Sequence, residues 1–194
     1  MKRILIVAAL MSAASLAPVL AQGMSKDDLI AQAVSAAPDE LRAGATVVNY
    51  DAKGDPVVLR QGTNDIVCTP NQNKDNYSVN CYAKLLRAQH DLQAKEMAEG
   101  KDPKTVGADV AAALASGKLP KPTTGTTMYM MMGKTQATAR GMWVVLVPGM
   151  TAAETGLPTK PTAAGTPWLM RAGTPGAHIH IPQAAAAGSS SAPM

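Results

Sequence analysis

Ile66-Val67-Cys68-Thr69-Pro70-Asn71-Gln72-Asn73-Lys74-Asp75-Asn76-Tyr77-Ser78-Val79-Asn80-Cys81-Tyr82-Ala83-Lys84-Leu85-Leu86 is the stretch on which the fold turns. Ile66 to Thr69 is short and β-branched, which reads as a strand. From Cys81 the apolar spacing changes. Tyr82, Leu85, Leu86, Leu92 and Met97 fall on one face of a helix, and Gly100 is placed to end it. Thr69 to Asn80, rich in Asn and Asp and carrying Pro70, reads as a loop. Cys68 and Cys81 bracket that loop and are the only cysteines of the chain. Their spacing is far from C-x-x-C, which favours a structural disulfide over a redox pair or a thiolate metal site. A bridge would close a loop of about 14 residues, which chain entropy values at about 3 kcal/mol. It would tie the start of the longest helix to the strand before it.

Upstream, Ser25-Lys26-Asp27-Asp28 resembles a capping box, with acids where the helix dipole favours them. Leu29, Ile30, Ala33, Val34 and Ala37 follow at helical spacing until Pro38. Ala45 to Tyr50 and Pro56 to Arg60 then form a hairpin about the turn Ala52-Lys53-Gly54-Asp55. Downstream, Asp102-Pro103 opens a second long helix, with Val106, Val110, Ala111 and Leu114 on its buried face and Gly117 at its end. Leu119-Pro120-Lys121-Pro122 must be extended. Beyond it the chain reads as β: Thr126 to Met132, Met142 to Val147, and a closing hairpin from Trp168 to Ile181. The apolar run Met142 to Val147 suggests a central strand covered on both faces, and Thr151 to Thr155 a short helical turn. The fold class is therefore α+β, an antiparallel or mixed sheet of six to seven strands with three helices inserted in the N-terminal half.

The two ends of the chain read differently. Lys2 and Arg3, the apolar run Ile4 to Leu10, and Val19-Leu20-Ala21 form a Sec-type signal peptide over residues 1–21, cleaved before Gln22. Its apolar core is too short for a membrane span, which needs about 20 residues, and no cysteine stands at the cleavage point to carry a lipid. The expected location is periplasmic or secreted, where two cysteines form a disulfide readily. Residues 22–182 make one stapled domain. Residues 183–194, all Gln, Ala, Gly, Ser, Pro and Met, read as a disordered tail.

Composition narrows the function. The chain has no Phe and 12 Met, so core volume must come from aliphatics and from Met as gap-filler. The formal charge of +4 falls to about +2 once Lys2 and Arg3 leave. What remains is uneven: net acidic up to Val110, and basic from Ala111 onward, where Glu154 is the only acid. That half could attract an anionic partner. With no Lys/Arg run and few aromatics to stack bases, nucleic acid is not expected.

The strongest chemical pattern is Ala177-His178-Ile179-His180-Ile181. On a strand, residues two apart face the same way, so His178 and His180 share a face. Their separation, about 7 Å from the strand rise, lets both reach one ion. A competent zinc or copper site needs a third ligand, to come from His90, Asp91 or a methionine. Met128-Tyr129-Met130-Met131-Met132 offers soft thioethers, with Met128, Met130 and Met132 on one face. The expected metal ligands are thus His178, His180 and Met130, and the ion copper. The plain alternatives are a pair of surface histidines and a Met-filled core. No G-x-S-x-G, phosphate loop or paired carboxylate outside a helix start argues for catalysis, and His90-Asp91 reads as solvent-facing on its helix.

Several phrases together are similar to an uncharacterised family of small secreted bacterial proteins with two cysteines. They are Ala37 to Val47, Val58 to Asn64 leading to Cys68-Thr69-Pro70, Gly156-Leu157-Pro158-Thr159, Pro167 to Met170, and Gly173-Thr174-Pro175 with Ala177 to Pro182. The resemblance spans Ala37 to Pro182 and implies no activity. The family carries Met at the position of His180, a pairing that suits copper better than zinc, and a Trp near the first cysteine where this chain has Ile66-Val67. The leading expectation is an exported, non-enzymatic binding or structural domain. Copper binding through the His-x-His and Met-rich strands is the first alternative. The second is a small hydrolase with a Ser, Thr or Asp nucleophile beside His90 or His178.

Overall fold

A computed structural model describes residues 23–163 and 165–183. The expected leader with its cleavage point, and the tail after Gln183, lie outside the described residues. The order is α1 (Lys26–Val34), α2 (Asp39–Arg42), β1 (Thr46–Tyr50), β2 (Pro56–Arg60), β3 (Ile66–Thr69), β4 (Tyr77–Ala83), α3 (Arg87–Ala98), α4 (Pro103–Ala115), β5 (Thr127–Gly133), β6 (Arg140–Leu146), α5 (Ala152–Thr155), β7 (Trp168–Met170) and β8 (His178–Pro182). The class is α+β as expected. One sheet holds eight strands in the order β2-β1-β3-β4-β5-β6-β8-β7. It is mixed because β1 and β3 run parallel. The strand beyond the expected count is β4. Of the two helices beyond the expected three, α5 is the short turn expected at Thr151 to Thr155, and α2 is a single unexpected turn after Pro38.

The caps behave as the residues dictate. The Ser25 hydroxyl accepts from the Asp28 amide at 3.1 Å, and the Asp102 carboxylate accepts from the amides of Lys104 and Thr105 at 3.0 and 3.1 Å. Gly100 and Gly117 leave their helices with φ of +84° and +76°. Thr151 and Glu154 close a capping box around α5. Gly54, at φ +74°, also lets the β1–β2 turn lie on α3, where a Cβ would meet the backbone of Ala94 and Lys95.

The segment around the cysteines differs from the sequence reading. Tyr77–Ala83 is a strand, so Cys81 and Tyr82 belong to the sheet and the helical run begins at a 3-10 turn over Lys84–Leu86. Tyr77, Val79 and Cys81 alternate with Ser78 and Asn80, a period-2 pattern. The neighbouring Leu85 and Leu86 had drawn Tyr82 into a helical one. Cys68 and Cys81 are direct antiparallel partners, joined by a disulfide at a Cα separation of 4.0 Å. The bridge therefore staples β3 to β4 rather than to a helix.

Strand alternation divides the core. On one face Val47, Ile66, Cys68, Val79 and Cys81 pack under α1 through Ala33, Ala36 and Ala37. On the other face Val48, Val67, Tyr82 and Leu86 gather where α3 begins. A third cluster, Val147, Leu169 and Ala177, holds the β7–β8 end. Among the described residues no helix is long and apolar enough to cross a membrane.

Candidate metal centre

The β7–β8 hairpin positions the two strand histidines. Its turn is set by Gly173 at φ +73° and Arg171 at φ +53°, with the Thr174 hydroxyl donating to the Arg171 carbonyl at 2.7 Å. Register follows: Trp168 faces His180, and Met170 faces His178. On the other side of β8, Val144 faces His180 and Leu146 faces His178. Directly opposed residues point to the same side of a sheet, so His178, His180, Trp168 and Met170 share one face. Ile179 turns to the opposite side and packs on the third cluster.

The imidazoles sit close together, with ring centroids 4.8 Å apart. Trp168 lies against His180 at the same centroid distance, tilted by 57°. His178 Nδ1 is 2.8 Å from the Gly176 carbonyl. A carbonyl can only accept, so the neutral ring carries its proton on Nδ1 and offers Nε2 as the donor atom. This is the arrangement by which proteins orient a histidine ligand. Burial, followed by the neighbouring His178, lowers His180 to about 4, so its imidazole is neutral near pH 7.

The methionines divide by strand parity. Met131 packs on the α1 side, Met128 beside Tyr82, and Met150 on the third cluster. These three fill core, as a chain without Phe requires. Met130, Met132, Met142 and Met170 are packed against none of the three clusters, and Met132 and Met170 are 39% and 36% exposed. Met130 is on the histidine face but two strands from β8, facing Met142 across β5 and β6. The methionine directly opposite a histidine is Met170. Neither Met170 nor Trp168 was assigned to the site from sequence. The signal was the count of residues across the Gly173-Thr174-Pro175-Gly176 turn, which fixes the register once both strand ends are known.

β6 also departs from expectation. It is interior to the sheet, but Trp143 is 38% exposed and Met142 is partly exposed, so neither face is fully covered. The run Met142 to Val147 is apolar because Val144 and Val147 are buried and Val145 packs on the third cluster, while Met142 and Trp143 stand at its open end.

His90 and Asp91 are half-buried rather than solvent-facing. His90 stacks on Tyr82 at 3.7 Å between centroids and 12° between planes, and its Nε2 is buried with no hydrogen-bond partner. Burial lowers its pKa to about 4, against a weaker opposing pull from Asp91. Asp91 accepts from the Tyr50 hydroxyl at 2.8 Å and pairs with Arg87 at 2.7 Å. Burial, opposed by Tyr50 and Arg87, pushes Tyr82 up to about 12. These groups turn inward because α3 lies on the sheet beside β1 and β4. His90 lies over Tyr82 on β4, which β5 and β6 separate from β8, and no Ser, Thr or Asp side chain is hydrogen-bonded to the ring of His90 or His178 among the described residues.

Elsewhere, a cleft of about 510 Å³ between α3 and α4 is lined by Leu92, Glu96, Asp109 and Lys118. Another of about 520 Å³ runs between Pro38 and Trp143. Neither contains a histidine. The ion pairs among the described residues all lie at or before Asp109, which leaves Lys118, Lys121, Lys134, Arg140, Lys160 and Arg171 outside them. Among the described residues no three His, Cys, Asp or Glu side chains gather as a metal-ligand group. The donors that do gather are imidazole and thioether. No protein-family model, curated protein or solved structure matches this chain.

Proposed function

We propose that this is an exported, non-enzymatic protein that binds Cu(I) on the β7–β8 hairpin, with His178 Nε2, His180 and Met170 as donors and Trp168 against one side. The observation that carries the reading is the register that sets Met170 opposite His178 while the two imidazoles stand 4.8 Å apart. Two imidazoles and a thioether form a soft, low-coordinate set that suits Cu(I) and leaves Zn(II) short of the thiolate or carboxylate ligands it usually takes. The indole is placed to interact with a cation through its face. A disulfide between buried sulfurs fits an oxidising compartment, and the leader-like N-terminus supplies the route. The site lies on an open sheet face, and neither of the two clefts contains a histidine.

The test is a Cu(I) titration of the disulfide-bonded protein under anaerobic conditions, in competition with a chromophoric Cu(I) chelator. The hairpin should take one ion. His178→Ala/His180→Ala should abolish competition, and Met170→Leu should weaken it by 10-fold or more (about 1.4 kcal/mol). Affinity unchanged in the double histidine variant would refute the reading.

A further inference from the structure

We infer that the same sheet face holds a second soft-ion site made of thioethers alone, centred on the Met130–Met142 pair. These residues are direct cross-strand partners on β5 and β6. Their Cβ atoms therefore stand about 5 Å apart, and each side chain has three rotatable bonds with which to bring its sulfur inward. Met132, two residues along β5 on the same face, is 39% exposed and adds a third thioether at the rim. Asn80 is the partner of Met130 on the side away from Met142, and its Oδ1 is buried without a hydrogen-bond partner. Asn80 thus brings an unsatisfied lone pair to the row beside Met130.

Met128, Met131 and Met150 pack on the three clusters, whereas the half-buried Met130 and Met142 and the exposed Met132 pack on none. The pair is sheltered beside Val144, which is 3% exposed, and the face opens at Met132. Thioether sulfur is a weak donor to hard cations and a good one to Cu(I) and Ag(I). Met142 is also the diagonal neighbour of His180, whose direct partner is Val144. That spacing is about 7 Å, so the thioether site adjoins the hairpin site without sharing a donor. The ion class is that of the hairpin reading, but the donors differ, so the two can fail separately.

Ag(I), which does not change oxidation state, is the probe. It is titrated into the full disulfide-bonded chain in chloride-free buffer at pH 7, with binding followed by native mass spectrometry and by the methyl signals of ¹³C-methyl-labelled methionine. Wild type should take two equivalents. Met130→Leu/Met142→Leu, a volume-conserving change at two half-buried positions, should take one, and His178→Ala/His180→Ala should also take one. In the histidine variant the methyl signals of Met130 and Met142 should shift while that of Met131 stays. Saturation of wild type at one equivalent that the histidine variant loses would overturn the thioether site and leave the hairpin reading standing. Two equivalents retained by Met130→Leu/Met142→Leu would also overturn it. One equivalent kept by the histidine variant and lost on adding Met130→Leu/Met142→Leu supports it, whatever the fate of the hairpin.

Discussion

Acidification should destabilise this protein through His90. The imidazole is packed flat on Tyr82 with Nε2 buried and unpaired, so adding a proton puts an unsolvated charge between α3 and the sheet. In the folded chain its pKa falls from 6.5 to about 4. In the unfolded chain it returns to 6.5. Between those values the unfolded state binds more protons than the folded one, so stability is full above pH 6.5 and is lost as the pH falls towards 4. At about 1.4 kcal/mol per pKa unit the loss reaches about 3 kcal/mol, a large share of the 5–15 kcal/mol typical of a domain. Asp91, the nearest charge, works the other way but is already engaged by Tyr50 and Arg87. The assay is urea unfolding followed by circular dichroism at steps from pH 7 to 4, on wild type and on His90→Phe, which keeps a ring against Tyr82 and cannot titrate. Wild type should lose about 3 kcal/mol more than the variant over that range. Parallel pH profiles for the two proteins would refute the account of α3 as a helix laid down over a neutral histidine.

Other perturbations separate the remaining elements. Cys68→Ala/Cys81→Ala opens a loop with a sequence separation of 13 and should cost about 3 kcal/mol in urea unfolding, with circular dichroism of the folded state unchanged because the strands still pair. Leu86→Ala, at a residue 1% exposed, should cost about 2–5 kcal/mol, while Leu85→Ala, at one 40% exposed, should stay within about 0.5 kcal/mol; the contrast reads out which side of the 3-10 turn meets the sheet. Gly54→Ala forces a side chain into φ +74° and against the backbone of α3, and should cost more than about 1–2 kcal/mol. Ag(I) should perturb the emission of Trp168 and not that of Trp143, since Trp143 pairs with Ile181 on the opposite face; Trp143→Phe keeps the response and Trp168→Phe loses it.

Much of the fold is written locally. The helices with Ser25, Asp102-Pro103 and Thr151 at their starts are legible because a cap is a property of three or four consecutive residues. The β1–β2 and β7–β8 hairpins are legible because turn residues sit between two β-branched or aromatic runs. β4 is not. Its alternation spans only Tyr77 to Cys81, preceded by a run of Asn and Asp and followed by Leu85-Leu86, and a helical period fits Tyr82 as well as a strand does. Neither His90 nor Asp91 betrays its burial, because which face of α3 meets the sheet depends on Tyr82 being in a strand. One misread strand thus hides both the true anchor of the disulfide and the polar cluster beneath α3.

Met128 to Met132 shows the same limit where chemistry is concerned. As a string it supports a packed core and an ion site equally, because Met serves both. What separates them is the identity of the residues across each strand and above each face, which register and helix placement supply. Met131 meets α1 and its cluster, and Met128 meets Tyr82, while Met130 meets Met142 and no core. The histidines are similar. The H-x-H pattern assigns them a shared face, but the third donor depends on a pairing across the Arg171 to Ala177 turn, and that pairing brings Met170 rather than Met130 to His178. The residues hardest to assign from sequence are therefore those whose neighbours are distant in the chain, and soft side chains on a half-buried sheet face are where that distance has a chemical consequence.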